Sequence, residues 1–295
     1  MNREKAAGHG AMLLFSALVA FSFTFGKLVA TDIEPAVITL FRFVIAALTM
    51  TALAVFWRND LSRLKRNLWR WLLVGGCMAA YFILMFEALR LTTSLATSAV
   101  FTLTPLMAAL FGWLFMAIPV GRMTLVALLT GAAGALWVIF RGDLDKALAL
   151  DIGQGEALFF LGAVAHAVVP ALTRRLCPGS TAYEAAFGTV LGALAVTMAY
   201  TVLTAQAVDP GSLSVAVWWV ALYLGIVTTA GTSVLLQIAI PRIAPGKVMA
   251  YTYLVPSWVV LHELVMGQAA FGPLYIGVLI TLVALGLLLF TDKLG

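Results

Sequence analysis

Ionisable side chains inside long apolar runs are costly to bury and mark function by default. In this chain Lys27, Arg42, Glu87, Arg90, Glu156, His262 and Glu263 fall in the outer half of such runs or at its edge. Opposite charges drawn together offset part of each other's desolvation. Lys27, Arg42, Glu87, His262 and Glu263 are therefore read as an outer charge cluster or gate. Snorkelling towards the interface is the plain alternative, and it is preferred for Arg90 and Glu156, which stand close to helix ends. His166 differs, because it sits near the middle of its run opposite Ser22 of an earlier one. A histidine there can bind a carboxylate, relay a proton, or simply satisfy a neighbouring helix. At similar depth stand Tyr81, Ser98, Phe101, Thr102, Tyr253 and Trp258. Ligand sites are mostly apolar and aromatic with a few placed polar groups, so these six and His166 form the candidate substrate-binding central cavity. Each aromatic alone is more often core than site.

The same inventory bounds the chemistry. The chain has three histidines, one of them in the N-terminal tail, and no His/Asp/Glu cluster at ligand spacing. A membrane enzyme would need a convergent acid, base, nucleophile or metal set, so no catalytic residue, metal or cofactor is expected. No GxxxxGK[ST] phosphate loop is present, which excludes ATP as the energy source. Channel hallmarks such as repeated filter loops or charged rings are missing too. The two cysteines, Cys77 and Cys177, show no metal spacing and suggest no disulfide.

The elements that must hold these residues follow from composition. Of 295 residues, 63% are hydrophobic and 11% charged, against roughly 45–50% and about 25% in soluble domains. Runs of the required ~20 apolar residues give ten spans, near residues 10–30, 36–57, 70–90, 94–116, 121–140, 153–173, 181–205, 216–239, 246–267 and 271–291. The first is too long for a signal peptide. With a cytoplasmic N-terminus, the inner side receives Arg3, Lys5, Arg58, Arg63, Lys65, Arg66, Arg70, Arg122, Arg174, Arg175, Arg242, Lys247 and Lys293. The outer side receives only Lys27, Arg90, Arg141 and Lys146. Positive charge concentrates on the cytoplasmic side, so both termini are expected inside. The net charge of +5 is thereby a topology signal and not one for nucleic acid.

The two halves resemble one another. "LRLTTSLATSAVFTLTPLMAALFGWLFM" (Leu89 to Met116) aligns without gaps on "IPRIAPGKVMAYTYLVPSWVVLHELVMG" (Ile240 to Gly267), with Pro105 on Pro256. "LLFSALVAFSFTFGK" from Leu13 resembles "ALFFLGAVAHAVVPA" from Ala157, and "LFRFVIAALTM" from Leu40 resembles "AFGTVLGALAV" from Ala186. The unit is five spans, in residues 1–140 and 153–295, joined by a charged periplasmic connection at 141–152. An odd unit forces the second copy to enter from the opposite side, giving an inverted-topology repeat as in many secondary transporters. Proline leaves a backbone carbonyl without its helical donor, so Pro105 and Pro256 predict two kinked helices beside the cavity.

These residues resemble the EamA-type family of the drug/metabolite transporter superfamily: "LFRFVIAALTM" its second helix, "SAVFTLTPLMAALFGWLFM" from Ser98 its fourth, and "KVMAYTYLVPSWVVLHELVMG" from Lys247 its ninth. Lys27 matches as well. The resemblance implies an all-α, ten-helix exporter of small metabolites with alternating access. Overall similarity points to the YddG-like aromatic amino acid exporter branch. One departure is plain. Family members often end the fourth and ninth helices in Gly-Glu, where this chain has Ala117-Ile118 and Gly267-Gln268. The first span also lacks the membrane glutamate of the small multidrug relatives. The expectation is a secondary transporter of amino acids, aromatic or other neutral ones, exported across a bacterial inner membrane. A multidrug or organic cation exporter of the same fold is the alternative. The expected partners are a small-molecule substrate and the lipid bilayer, with proton coupling left open. No nucleic acid and no ATP is expected, and the chain is read as a monomer or weak dimer.

Overall fold

The computed structural model describes residues 3–59, 61, 64, 68–206, 208–243, 245–267, 272 and 274–290, and every element among them is helical. The ten long helices among the described residues are α1 (Arg3–Val29), α2 (Pro35–Trp57), α3 (Leu68–Leu91), α4 (Ser94–Met116), α5 (Arg122–Ile139), α6 (Gln154–Leu176), α7 (Ala182–Leu203), α8 (Val215–Ala239), α9 (Val248–Val265) and α10 (Leu274–Phe290). The first nine are long and apolar enough to cross a bilayer, and Leu274–Leu289 is a shorter apolar run. Only 39–50% of each spanning window is buried inside the protein. The remainder is still apolar, with Leu48, Phe56, Leu114, Leu129, Val202, Leu261 and Leu279 outward, and such a surface is stable only against hydrocarbon.

The helix starts have local causes. Pro35 occupies the first turn of α2, where a missing N–H costs nothing. The Thr93 side chain caps α4, and Thr181 with Glu184 forms a capping box on α7. α1 begins at Arg3 and not near residue 10, because its first turns are packed. Gly8 lies so close to Arg242 and Ile243 that a Cβ there would touch both at 3.0 Å. Ala11 and Met12 join Ala239, Val248 and Tyr251 in a small core of their own. The 141–152 connection is ordered too, with the Asp143 carboxylate accepting from the Asp145 and Lys146 amides to start a short helix, Leu144–Leu148.

Both proline helices are kinked, in the same way. α4 runs to Phe101, breaks, and restarts at Thr104 with Pro105 in its first turn. α9 narrows to a 3-10 stretch over Tyr251–Leu254 and restarts at Val255 with Pro256 second. The residues before the two restarts have nearly identical backbones: Leu103 at φ −75, ψ −17 and Leu254 at φ −77, ψ −16. α8 is also irregular, without a proline, because Tyr223–Gly231 is π-helical.

The halves interlock. α1 packs on α8 as α6 does on α3; α2 packs on α8 as α7 does on α3; α1 meets α9 as α6 meets α4; and α5 lies against α10. Exchanging the halves leaves this pattern unchanged. The α5–α10 crossing is tight enough that a Cβ on Gly134 would stand 2.7 Å from the Gly277 carbonyl oxygen, and one on Gly277 2.6 Å from that of Gly134.

Candidate functional site

α3, α4 and α6 bring Tyr81, Phe101 and His166 together near their midpoints. The Tyr81 and His166 rings are 4.6 Å apart, Phe101 and His166 5.6 Å, and Tyr81 and Phe101 6.2 Å. Phe159 of α6 and Phe23 of α1 extend the cluster at 5.7 Å from Tyr81 and 5.6 Å from Phe101. The break in α4 follows directly after Phe101, and Pro105 has no N–H for the Phe101 carbonyl four residues earlier. Ser98 and Thr102 stand on the same turn, but their hydroxyls donate to Leu95 and Ala99 of their own helix. They remain acceptors. The Nδ1 of His166 is buried and has no hydrogen-bond partner among the described residues, so none of the described neighbouring helices satisfies that nitrogen.

Arg42 is 2% exposed and lies beside this group through Phe82. Its Nε donates to the Thr229 hydroxyl (2.8 Å) and Nη2 to that of Thr228 (3.1 Å), both on the π-helical stretch of α8. Its guanidinium carbon stands 3.5 Å over the Phe82 ring. Phe82 is the neighbour of Tyr81, with ring centroids 4.5 Å apart. The Tyr81 and Tyr223 phenols lie within electrostatic reach of the cation.

The expected outer cluster does not gather. Lys27 donates through Nζ to the Leu89 carbonyl at 2.6 Å. Glu87 stands 3.7 Å from Arg90 one turn along its own helix, and Arg90 is 3.3 Å from Glu34. Arg42 is turned towards α8, away from Glu87. His262 is enclosed edge-on by Phe21 (5.5 Å) and Phe25 (5.7 Å) of α1. Glu263 is half-buried with no ion pair among the described residues. What does stand at this end of the helices is a cleft of about 280 Å³ lined by Thr31, Asp32, Glu34, Arg90, Asp209 and Ser212. Glu156 is buried as a helix-end group, accepting from the Thr92 hydroxyl at 2.6 Å.

α9 contributes less to the central group than its sequence promised. Tyr253 is fully buried, but its ring seats on Gly131 of α5 and packs with Ala127, Leu128 and Ala284 in a separate core. Tyr253 lies in the 3-10 stretch Tyr251–Leu254, and its ring is committed to that separate core. Trp258 does face inward, and its Nε1 donates to the Ser16 hydroxyl at 3.0 Å. Sequence reading missed Phe82, Phe159, Ser16, Thr228 and Thr229. The adjacent threonines between Gly225 and Gly231 were the available signal.

Comparisons with known proteins agree with this architecture. Over 259 residues the chain is 22% identical to the uncharacterized transporter YyaM of Bacillus subtilis (strain 168), covering 87% of this chain and 85% of that one. A solved crystal structure shares the fold with a TM-score of 0.71 at 21% identity, over 99% of this chain and 98% of its own. The segment from Ala6 to Phe140, which spans α1 to α5 and carries Arg42, Tyr81 and Phe101, matches a described family. The family that residues 6–140 match is the EamA-like transporter family.

Proposed function

We propose that this protein is a secondary transporter exporting small metabolites, amino acids foremost, across a bacterial inner membrane by alternating access. Both termini are then cytoplasmic, and the five-helix halves are inverted copies around a midplane site. The carrying observation is the midplane group itself, with Tyr81, Phe101 and a partnerless His166 nitrogen meeting where α4 is broken. An apolar aromatic wall with one free polar atom suits a small neutral metabolite with an apolar side chain. The matching kinks at Leu103 and Leu254 and the exchangeable packing of the halves support the inverted repeat. An organic cation is disfavoured by the buried positive charge of Arg42 beside the same group.

The test is uptake and counterflow of labelled amino acids in proteoliposomes, with and without a pH gradient. Saturable exchange of phenylalanine or leucine is expected, and dependence on the gradient would establish proton coupling. Ohmic conductance without counterflow would refute a carrier, and uptake of organic cations alone would move the substrate class.

A further inference from the structure

We infer that Arg42 is the carboxylate-binding group of the substrate site, held by the Thr228–Thr229 pair of α8, and that the substrates are organic carboxylates. This rests on the transporter reading above and narrows it.

A guanidinium presents five N–H donors in a planar fork. Here Nε–H is given to Thr229 and one Nη2–H to Thr228, while Nη1 is buried with no partner. The unused donors form the Nη1/Nη2 edge, the edge that grips a carboxylate in two parallel hydrogen bonds. Buried charges are ordinarily paired with an opposite charge. Among the described residues no carboxylate lies within 4 Å of Arg42. Its surroundings are two neutral hydroxyls and the face of Phe82. The protein therefore holds a desolvated cation in place without neutralising it, and an incoming anion would supply the missing charge.

The scaffold around Arg42 is built for this. Thr229 and Thr228 are adjacent on α8, and separate nitrogens of the one guanidinium, Nε and Nη2, reach their two hydroxyls. Both threonines lie in the π-helical stretch Tyr223–Gly231; such turns are rare and are frequent at functional sites. Both hydroxyls donate their hydrogens to the Leu224 carbonyl, at 2.9 and 2.8 Å, which leaves only lone pairs for Arg42. Gly225 admits α2 closely, since a Cβ there would stand 3.0 Å from the Arg42 carbonyl oxygen and 2.6 Å from Ile45. From this cation, Phe82 and Tyr81 lead to His166 and Phe101. A carboxylate on Arg42 thus leaves the rest of a small apolar acid against the aromatic wall.

The test uses the full-length protein in detergent, with ligand binding read from thermal melting. The probes are L-phenylalanine, 3-phenylpropionate, phenylalaninamide and phenethylamine, and the leucine series L-leucine, isocaproate, leucinamide and isoamylamine. In at least one series both acids should raise the melting temperature while amide and amine do not. Arg42→Met should weaken acid binding by about tenfold or more, and Arg42→Lys, which cannot form the two-bond fork, should lose most of it. Without ligand, Arg42→Met should melt at or above the parent, because it removes a buried charge that lacks a counter-ion. If Arg42→Met fails to fold, the selectivity of the parent for acids over amides still decides. Equal binding of amide and acid, or unchanged acid affinity in Arg42→Met, would overturn the assignment. Amino acid counterflow that survives Arg42→Met would overturn it while leaving the transporter reading intact. A parent protein that binds none of the carboxylates would overturn the assignment, whereas ohmic conductance without counterflow would overturn the transporter reading.

Discussion

The α5–α10 crossing makes a sharp prediction, because one helix carries two glycines in opposite surroundings. A Cβ at Gly277 would meet the Gly134 carbonyl oxygen and a Val138 methyl at 2.6 Å each, where ordinary contact begins at 3.4 Å. The opposing oxygen is backbone and cannot rotate aside, so α5 and α10 must part by about 0.8 Å. Overpacking of this kind costs roughly 1–3 kcal/mol, offset by about 1 kcal/mol of helix propensity on replacing glycine with alanine. At Gly286 of the same helix a Cβ meets nothing within 4 Å, so Gly286→Ala keeps only the propensity gain. The two variants should therefore differ by about 1–3 kcal/mol, Gly277→Ala melting at or below the parent and Gly286→Ala above it. Melting followed by tryptophan fluorescence is suited to this, because Trp137 borders the crossing, 3.2 Å from the added Cβ. Gly134→Ala, which meets the Gly277 carbonyl from the other side at 2.7 Å, should behave like Gly277→Ala. Equal shifts in Gly277→Ala and Gly286→Ala would show that the helices are not in backbone contact and refute the reasoning. The consequence reaches the site's second kink, since α5 also seats the Tyr253 ring through Gly131.

Three further outcomes are expected. His166→Ala should reduce transport by about tenfold or more, with His166→Gln partly retaining it by supplying another polar group; unchanged rates in His166→Ala would remove this residue from the site. Ala117 closes α4 in the left-handed region at φ 51, as Gly267 does just beyond α9 at φ 66. A side chain there costs about 1–2 kcal/mol, so Ala117→Gly should raise the melting temperature and Gly267→Ala lower it; shifts of the opposite sign would refute the strain. Burial pushes the Cys177 thiol up from its ordinary value, with Arg70 opposing. In a Cys77→Ala background, an impermeant maleimide should label Cys177 in inside-out vesicles only, increasingly fast as the pH is raised towards that value; labelling from the outside would overturn the cytoplasmic placement of that loop.

The helices and both breaks were legible because hydropathy and proline act locally. A proline at position 105 or 256 removes its own hydrogen bond wherever the helix goes. Direction was harder. In a soluble helix the polar face reveals which side is buried, but a span is apolar all round, so nothing in the sequence showed that Tyr253 turns to Gly131 while Phe101 turns to His166. The charges failed as a group for a related reason. Counting residues from a helix end gives height in the membrane but not angle around the bundle. Arg42 and Glu87 were placed at comparable heights, yet Arg42 points to Thr228 on α8 and Glu87 to Arg90 on its own helix. The π-helical stretch had no local marker, because no proline causes it. It holds two helices in register through Gly225 and Arg42, residues far apart in the chain.

The buried polar atoms without partners say where this fold has been kept from settling. Among the described residues these include Arg42 Nη1, His166 Nδ1, the Tyr253 hydroxyl, Thr104 Oγ1 and Ser257 Oγ. Thr104 and Ser257 stand directly beside Pro105 and Pro256, Tyr253 lies in the 3-10 stretch, and Arg42 and His166 flank Tyr81 and Phe82. Each such group costs about 1–3 kcal/mol if it stays unsatisfied, and although Arg70 Nε, Thr197 Oγ1 and Gln206 Oε1 stand elsewhere, three of the eight, on Thr104, Tyr253 and Ser257, stand at the two kinks. A carrier has a use for such groups, because groups satisfied by substrate, or by the opposite packing of the same kinks, must be unsatisfied in some other state. The asymmetry between the kinks fits that account. Phe101 opens on the shared cluster while Tyr253 is sealed against α5, although their backbones break alike. Under the alternating access proposed above, exchange of these two environments is the motion expected of the two kinks.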